Sequence, residues 1–135
     1  HVAKDLKFIE TFRPDMVGIG PFIPHHATPF AAFPPGTAEA TVFLVSLVRL
    51  MLPHVLLPAT TALGTAEPDG RARGIAAGAN VVMPNLSPAA VRGQYTLYDG
   101  KPASGTEAAE CVRRLADEMA AIGYRVVTAR GDVKR

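Results

Sequence analysis

Three apolar segments rich in β-branched residues recur along this chain, and each ends in or beside proline, threonine, histidine or asparagine. They are residues 16–24, 55–62 and 80–84, and the stretches between them carry helical patterning. Short apolar strands that alternate with helices are typical of β/α units, which form a barrel or a parallel sheet. In such folds ligands bind at the carboxyl ends of the strands, so the residues found there restrict the possible chemistry.

The length of the chain limits how much of such a fold it can form. A complete (β/α)8 barrel takes about 250 residues, whereas this chain has 135. We therefore expect an α/β fold that is the C-terminal half of a TIM-type barrel, with three barrel strands and C-terminal helices. It forms one partial domain, in which residues 1–86 are the last β/α units and residues 87–135 are a C-terminal helical extension. Helical periodicity is already present at residue 2, so we expect the chain to begin within a helix.

The composition excludes several function classes. Hydrophobic residues make up 48% of the chain and charged residues 19%, and the formal net charge is +2. These values favour a buried-strand fold over a nucleic-acid-binding or disordered chain. The most apolar segment, residues 42–57, is interrupted by Arg49 and Pro53 and is shorter than the roughly 20 residues of a spanning helix, so no membrane partner is expected. A single cysteine excludes an internal disulfide and favours the reducing cytoplasm.

Capping and turn signals predict three further helices. Residues 37–52 begin at an N-cap threonine after Pro-Pro-Gly, and residues 68–78 run from Pro-Asp-Gly to a terminal glycine. Residues 104–122 begin with the capping box Ser-Gly-Thr-Glu. Cys111 falls at helical spacing with the apolar residues of this last helix. It is therefore interpreted as a core thiol and not as a nucleophile or a metal ligand.

The residues at the predicted strand ends include no carboxylate and no lysine. They are Pro24, His25, His26 and Thr28, then Thr60 and Thr61, then Met83, Pro84 and Asn85. Schiff-base chemistry and two-carboxylate hydrolysis are therefore disfavoured. One of the two adjacent threonines should face the barrel lumen, because neighbouring strand residues point to opposite faces. A pocket of hydroxyl, thioether and amide groups is typical of a site whose reactivity comes from a bound cofactor.

Two motifs resemble a metal site and a dinucleotide-binding loop, but their sequence context favours neither interpretation. His25 and His26 are adjacent in an extended segment and should point to opposite faces, so we expect a capping or supporting role and predict no metal site. Gly18 and Gly20 lie inside a predicted strand and not between a strand and a helix. We therefore expect a close approach of the backbone to a neighbour or a ligand, and not a dinucleotide-binding loop.

Three sequence blocks, in this order, carry a resemblance to a known family. They are Asp15-Met-Val-Gly-Ile-Gly-Pro-Phe-Ile-Pro-His25 with Thr28-Pro29, then Leu57-Pro-Ala-Thr-Thr-Ala-Leu-Gly-Thr65, then Gly78-Ala-Asn-Val-Val-Met-Pro-Asn85. From about Asp5 to Tyr124 the chain resembles the C-terminal half of the HydE-type radical-SAM maturases of FeFe-hydrogenase, which are biotin-synthase-like proteins.

The resemblance implies a radical-SAM barrel in which a 4Fe-4S cluster cleaves S-adenosylmethionine (SAM) to a 5′-deoxyadenosyl radical, during assembly of the diiron part of the hydrogenase H-cluster. It also implies an iron carbonyl/cyanide fragment as substrate and the other hydrogenase maturases as partners. The family's CxxxCxxC cluster loop lies in the N-terminal half and has no counterpart here. We therefore expect the cluster ligands to lie outside this chain, which alone should be inactive and hold no catalytic residue.

Matching positions imply the site residues. The adenine of SAM would pack against, and hydrogen-bond to, Pro21, Phe22 and Ile23. The substrate cavity would be lined by Thr60, Thr61, Met83, Tyr95 and Tyr98. Each of these residues also has an interpretation as a packing residue.

One departure from the family pattern, and two alternative functions, stay open. Family members commonly carry Gly-Arg-Glu where this chain has Gly70-Arg71-Ala72, so a carboxylate is lost. If that glutamate forms a buried pair with an arginine in the family, its loss predicts a weaker barrel or a repositioned partner here. The alternatives are another biotin-synthase-like radical-SAM enzyme and a non-catalytic half-barrel that acts as an assembly module. The exposed strand edges of a half-barrel predict self-association of the isolated chain.

Overall fold

Six helices surround three extended segments in the part of the chain that the computed structural model describes, which is residues 1–95, 97–100 and 107–133. The helices are α1 (Val2–Phe12), α2 (Ala38–Met51), α3 (Thr61–Ala66), α4 (Gly70–Ala76), α5 (Ala89–Arg92) and α6 (Ala108–Ala121). The helices predicted at the start of the chain and over 37–52 and 68–78 are confirmed as α1, α2 and α4. The hydroxyl of Thr37 accepts a hydrogen bond from Ala40 N at 3.1 Å, as the predicted N-cap requires.

The three apolar segments lie side by side in chain order and run parallel. Met16 bridges to Leu56, and Pro58 bridges to Val81, so the second segment lies between the other two. The first bridge is closed by Val17 N donating to Leu56 O and Leu56 N donating to Asp15 O, both at 2.9 Å. Each bridge is isolated, so the described residues contain no regular strand. The barrel itself stays a prediction.

A side-chain amide takes part in the pairing between the second and third segments. Leu57 N donates to Asn80 Oδ1 at 2.8 Å, while Leu57 O accepts from both Asn80 N and Val81 N. The second donor of the same amide, Asn80 Nδ2, reaches Val55 O at 3.5 Å. Asn80 therefore fills with its side chain a position that a backbone group holds in a regular parallel ladder.

The second predicted strand ends earlier than expected. The prediction of strand over 55–62 is wrong at its end, because Thr60 is the N-cap of α3 and Thr61 is the first residue of that helix. Thr60 Oγ1 accepts a hydrogen bond from Leu63 N at 3.3 Å, which satisfies a donor that the first helical turn leaves without a partner. The two threonines therefore do not alternate across a strand.

The core lies between the extended segments and α2. Its buried members include Val45 and Val48 of α2, together with Val17, Val55, Leu57, Ala59, Ile75, Ala79 and Met119. Small residues let α4 pack closely on α3, because a Cβ at Gly70 would overlap the carbonyl group of Leu63. Helix α6 buries one row of side chains, Cys111, Leu115 and Met119. The interpretation of Cys111 as a core thiol is confirmed, since only 7% of the residue is exposed.

The predicted start of the last helix lies mostly outside the described residues. Ser104 of the predicted capping box lies outside the described residues, and the N-cap of α6 is Glu107, without a side-chain capping bond. Within residues 1–95, 97–100 and 107–133, no helix has the length and apolar character needed to cross a membrane.

Candidate functional site

A cavity of about 400 Å³ opens beyond the carboxyl ends of the second and third segments. Three of the predicted cavity residues, Thr61, Met83 and Tyr95, line it together. Thr61 begins α3, whereas Met83 and Tyr95 are half exposed, at 52% and 57%. The structure thus brings a hydroxyl, a thioether and a phenol to one cavity, and their roles toward a substrate stay a prediction.

One wall of this cavity is charged, so the expectation of a pocket without acids or bases is wrong. Arg71, Arg114 and Glu118 line the wall. Arg71 Nη1 donates to Glu118 Oε2 at 2.9 Å, and the two side chains are 23% and 36% exposed. Arg71 precedes Ala72, where the resemblance implies a glutamate, and its carboxylate partner comes from α6.

The buried side chain of Arg92 forms hydrogen bonds to a loop that lines another part of the cavity. Arg92 is 5% exposed, and its guanidinium donates to Ser87 O at 2.7 Å and to Asn85 O at 3.2 Å. A third guanidinium nitrogen, Nη1, lies 3.6 Å from the Sγ atom of Cys111 on α6. Arg92 therefore holds the loop over residues 85–87 against the helix that carries the opposite wall.

Thr60, the fourth predicted cavity residue, does not line the cavity. Its hydroxyl caps α3 and faces the first extended segment, where a Cβ at Gly20 would lie 2.9 Å from Thr60 Oγ1. The predicted close approach of the backbone is therefore confirmed at Gly20. At Gly18 a Cβ would meet no protein atom within 4 Å, so the approach to a ligand stays a prediction there.

The residues predicted to bind adenine form a separate surface. Pro21 is buried and Ile23 is half-buried, whereas Phe22 is 45% exposed. The ring of Phe22 packs edge-to-face on Phe30 with centroids 6.4 Å apart. The carbonyl oxygen of Phe22 accepts a hydrogen bond from Gly36 N at 2.7 Å, so this carbonyl is engaged within the chain. None of the three residues lines the cavity described above, and their assignment to SAM stays a prediction.

Tyr98, the fifth predicted cavity residue, is half-buried on a segment that lies against the turn after the first extended segment. Asp99 N donates to Pro24 O at 3.1 Å, and His26 N donates to Asp99 Oδ2 at 2.9 Å. The ring nitrogen His26 Nδ1 lies 2.8 Å from Asp99 Oδ1, and this hydrogen bond lowers the pKa of the Asp99 carboxyl. The segment over residues 97–100 is therefore held next to the predicted adenine-binding residues.

Two larger cavities lie elsewhere, at about 590 and 520 Å³. The first opens at the amino ends of the extended segments, near Asp15 and Val55. The second lies between the third segment and residues 124–131. Ligands of parallel α/β folds bind at the carboxyl ends of the strands, so the 400 Å³ cavity is the better candidate although it is smaller.

Sequence reasoning missed the charged groups of the site. The motif singles out Arg71 only for its missing neighbour, the charges of the last helix are interpreted as a solvated face, and no pattern indicates Arg92. No spacing in the sequence indicates the Arg71–Glu118 pair, since 47 residues separate the partners.

Comparisons with known proteins give three relatives. The FeFe hydrogenase maturase subunit HydE of Thermotoga maritima is 48% identical over 100 residues, which are 74% of this chain and 29% of that protein. The 3-methylornithine synthases of Methanosarcina barkeri and Methanosarcina acetivorans are 35% and 32% identical over 83 and 79 residues, or 62% and 58% of this chain. The chain spans less than a third of the length of each relative. No family model matches it.

Proposed function

We propose that this chain, which belongs to the radical-SAM family of the hydrogenase maturase HydE, forms part of the SAM and substrate cavity of an enzyme that assembles the diiron subcluster of FeFe-hydrogenase. The 48% identity to HydE, higher than to either 3-methylornithine synthase, is the observation that carries the proposal. The meeting of Thr61, Met83 and Tyr95 at one cavity supports it.

The fold proposed for this role is the C-terminal half of a (β/α)8 barrel. Three extended segments that run parallel in chain order, with α2 between the first and second and α3 and α4 between the second and third, support that architecture. The single cysteine supports a reducing compartment, and we place the protein in the cytoplasm.

The residues of this chain fit one of the two cofactors that the family implies. A 4Fe-4S cluster is held by several cysteine thiolates, whereas the one cysteine here is buried on α6 next to Arg92, so the cluster ligands must come from elsewhere. The half-exposed aromatic ring of Phe22 suits the adenine of SAM by packing. When bound, SAM and the cluster supply the radical chemistry.

The cavity residues bind and orient the substrate in this proposal. Thr61 and Tyr95 provide hydroxyl donors that suit the cyanide ligands of an iron carbonyl/cyanide fragment, and Met83 provides a polarizable surface for its carbonyl ligands. The Arg71–Glu118 pair balances two of the three charges on the wall, because these two side chains lie at hydrogen-bond distance, and Arg114 adds one positive charge.

A chimera tests the proposal. The region of Thermotoga maritima HydE that matches this chain is replaced by residues 5–124, and the purified protein is assayed for 5′-deoxyadenosine formation and for hydrogenase maturation with the other maturases. We expect both activities to be kept. Substitution T61A in the chimera should keep 5′-deoxyadenosine formation and lower maturation by about tenfold or more, because one polar contact to bound substrate is lost. The matched control T11A, an exposed threonine of α1 that does not line the cavity, should change neither.

Three results of the chimera experiment would contradict the proposal. A folded chimera that forms 5′-deoxyadenosine but does not mature hydrogenase contradicts the proposed substrate. Formation of 3-methylornithine by that chimera would favour the sibling enzyme instead, and a folded chimera that ignores SAM would favour the non-catalytic module.

A further inference from the structure

The turn after the first extended segment brings two adjacent histidine side chains together. The rings of His25 and His26 stack with centroids 4.5 Å apart and planes at 21°. Adjacent residues of an extended segment point to opposite faces, but here the backbone turns, with Thr28 N donating to His25 O at 3.0 Å. The two side chains therefore lie on the same side of the turn and can share one ion, unlike adjacent residues of an extended segment.

A carboxylate from a distant part of the chain completes the group. Asp99 is held by one oxygen, Oδ2, through the backbone N–H of His26, and its other oxygen, Oδ1, lies 2.8 Å from the ring of His26. The backbone of Asp99 is also fixed, by the hydrogen bond from its N–H to Pro24 O. One nitrogen from each ring and one Asp99 oxygen lie within 4.8 Å of one another.

We propose that His25, His26 and Asp99 form a binding site for a divalent transition-metal ion such as Zn²⁺, with water as the remaining ligand. Two imidazole nitrogens and a carboxylate oxygen are a donor set that suits Zn²⁺ and not the oxygen-seeking Ca²⁺ or Mg²⁺. The site lies outside the cavity of the proposed function and does not depend on it.

Little rearrangement is needed to bind the ion. Tetrahedral Zn²⁺ with bonds of about 2.0–2.1 Å places its ligand atoms roughly 3.4 Å apart. The His26 and Asp99 side chains are 77% and 49% exposed, so they rotate into this geometry without disturbing the core. The ion replaces the ring hydrogen bonds of His26 to Asp99 and of Ala27 N to His25, while His26 N keeps its bond to Asp99 Oδ2. The bound ion joins the turn to the segment over residues 97–100.

Titration of the untagged 135-residue chain with Zn²⁺ near neutral pH, by calorimetry and by the visible absorption of Co²⁺, tests the site. We expect one ion per chain, and affinity at least about tenfold weaker in H25A, H26A and D99A. D99N is the matched variant, since it keeps the size of the side chain and an acceptor oxygen but loses the carboxylate. It should keep the circular dichroism of the parent and lose Zn²⁺ affinity. H54A removes an exposed histidine far from the site and should bind as the parent does.

Two results overturn the proposal. One is the absence of saturable Zn²⁺ binding by the folded parent chain. The other is binding that D99A and D99N leave unchanged, because the pair of histidines alone would then account for it.

Discussion

Arg71 Nη1 donates a hydrogen bond to Glu118 Oε2 at 2.9 Å and so joins α4 to α6 across one wall of the candidate cavity. Both side chains keep some contact with solvent, at 23% and 36% exposure, and such pairs contribute at most about 1 kcal/mol to stability. The pair's main effect is therefore on where the two charges point and not on whether the chain folds.

A double-mutant cycle measures the interaction energy between Arg71 and Glu118. R71A, E118A and the double variant should give a coupling energy of about 0.5–1 kcal/mol in urea unfolding, and high salt should reduce it. The exposed pair of Lys7 and Glu10 within α1 is the control, and its coupling energy should be smaller than that of Arg71 and Glu118. Strictly additive effects of R71A and E118A would contradict the assigned interaction.

Loss of the buried Arg92 side chain should be more damaging. R92A leaves the carbonyl groups of Ser87 and Asn85 without their donor, so we expect the free energy of unfolding to fall by about 1–3 kcal/mol. R92K should recover part of this loss, because a lysine keeps the charge but not the planar array of donors. R113A, an exposed arginine of α6, should change stability by less than about 0.5 kcal/mol in the same chemical denaturation.

The two glycines of the first extended segment should respond differently to alanine. G20A places a Cβ 2.9 Å from Thr60 Oγ1, which must move, and loss of that N-cap costs about 1 kcal/mol. G18A meets nothing within 4 Å and should be close to neutral. The thermal midpoint checks both, and the cost of G20A should shrink in a T60A background. An equal cost of G20A in both backgrounds would place its effect elsewhere.

The contact of Asp99 with His26 predicts a dependence on pH. The hydrogen bond lowers the pKa of Asp99 in the folded chain, so its contribution is fully present above the ordinary aspartate pKa of about 3.9 and is lost as the pH falls through the lowered pKa. NMR titration of the Asp99 carboxyl carbon should give a pKa below the ordinary value. In H26A that pKa should rise toward the ordinary value, whereas H54A should leave it unchanged.

Cys111 should behave as a packing residue. C111A removes a small buried group and should cost about 1 kcal/mol of stability. In the native chain a thiol reagent should label Cys111 only as fast as the surrounding structure opens, since the residue is 7% exposed. Fast labelling of the folded chain would contradict the assigned burial.

The features that the sequence predicts correctly are those that depend on residues a few positions apart in the chain. The N-cap at Thr37 and the apolar row that contains Cys111 follow from spacings of three and four residues, and both are present. The capping role of Thr60 was missed because the same residue fits the end of a strand and the start of a helix. The preceding apolar run favoured the end of a strand, but α3 begins at Thr61.

Short-range sequence patterns do not predict contacts between residues that are far apart in the chain. The burial of Arg92 and the pairing of Arg71 with Glu118 depend on how α4, α5 and α6 are arranged in space. The stacking of His25 on His26 depends on a turn that the proline and histidine spacing did not reveal. The adenine-binding role of residues 21–23 stays a prediction, and so does the barrel.

Asn80 has a consequence for how the chain tolerates change. Peptide groups that pair neighbouring segments are supplied by nearly every amino acid, so they survive most replacements. Between Leu57 and Asn80, however, one of the groups is a carboxamide. Aspartate keeps the acceptor oxygen for Leu57 N but lacks the donor to Val55 O, glutamine is longer by a methylene group, and an apolar residue has neither group. A single replacement at this position can therefore remove a hydrogen bond between two neighbouring segments, whereas hydrogen bonds between backbone groups survive most replacements.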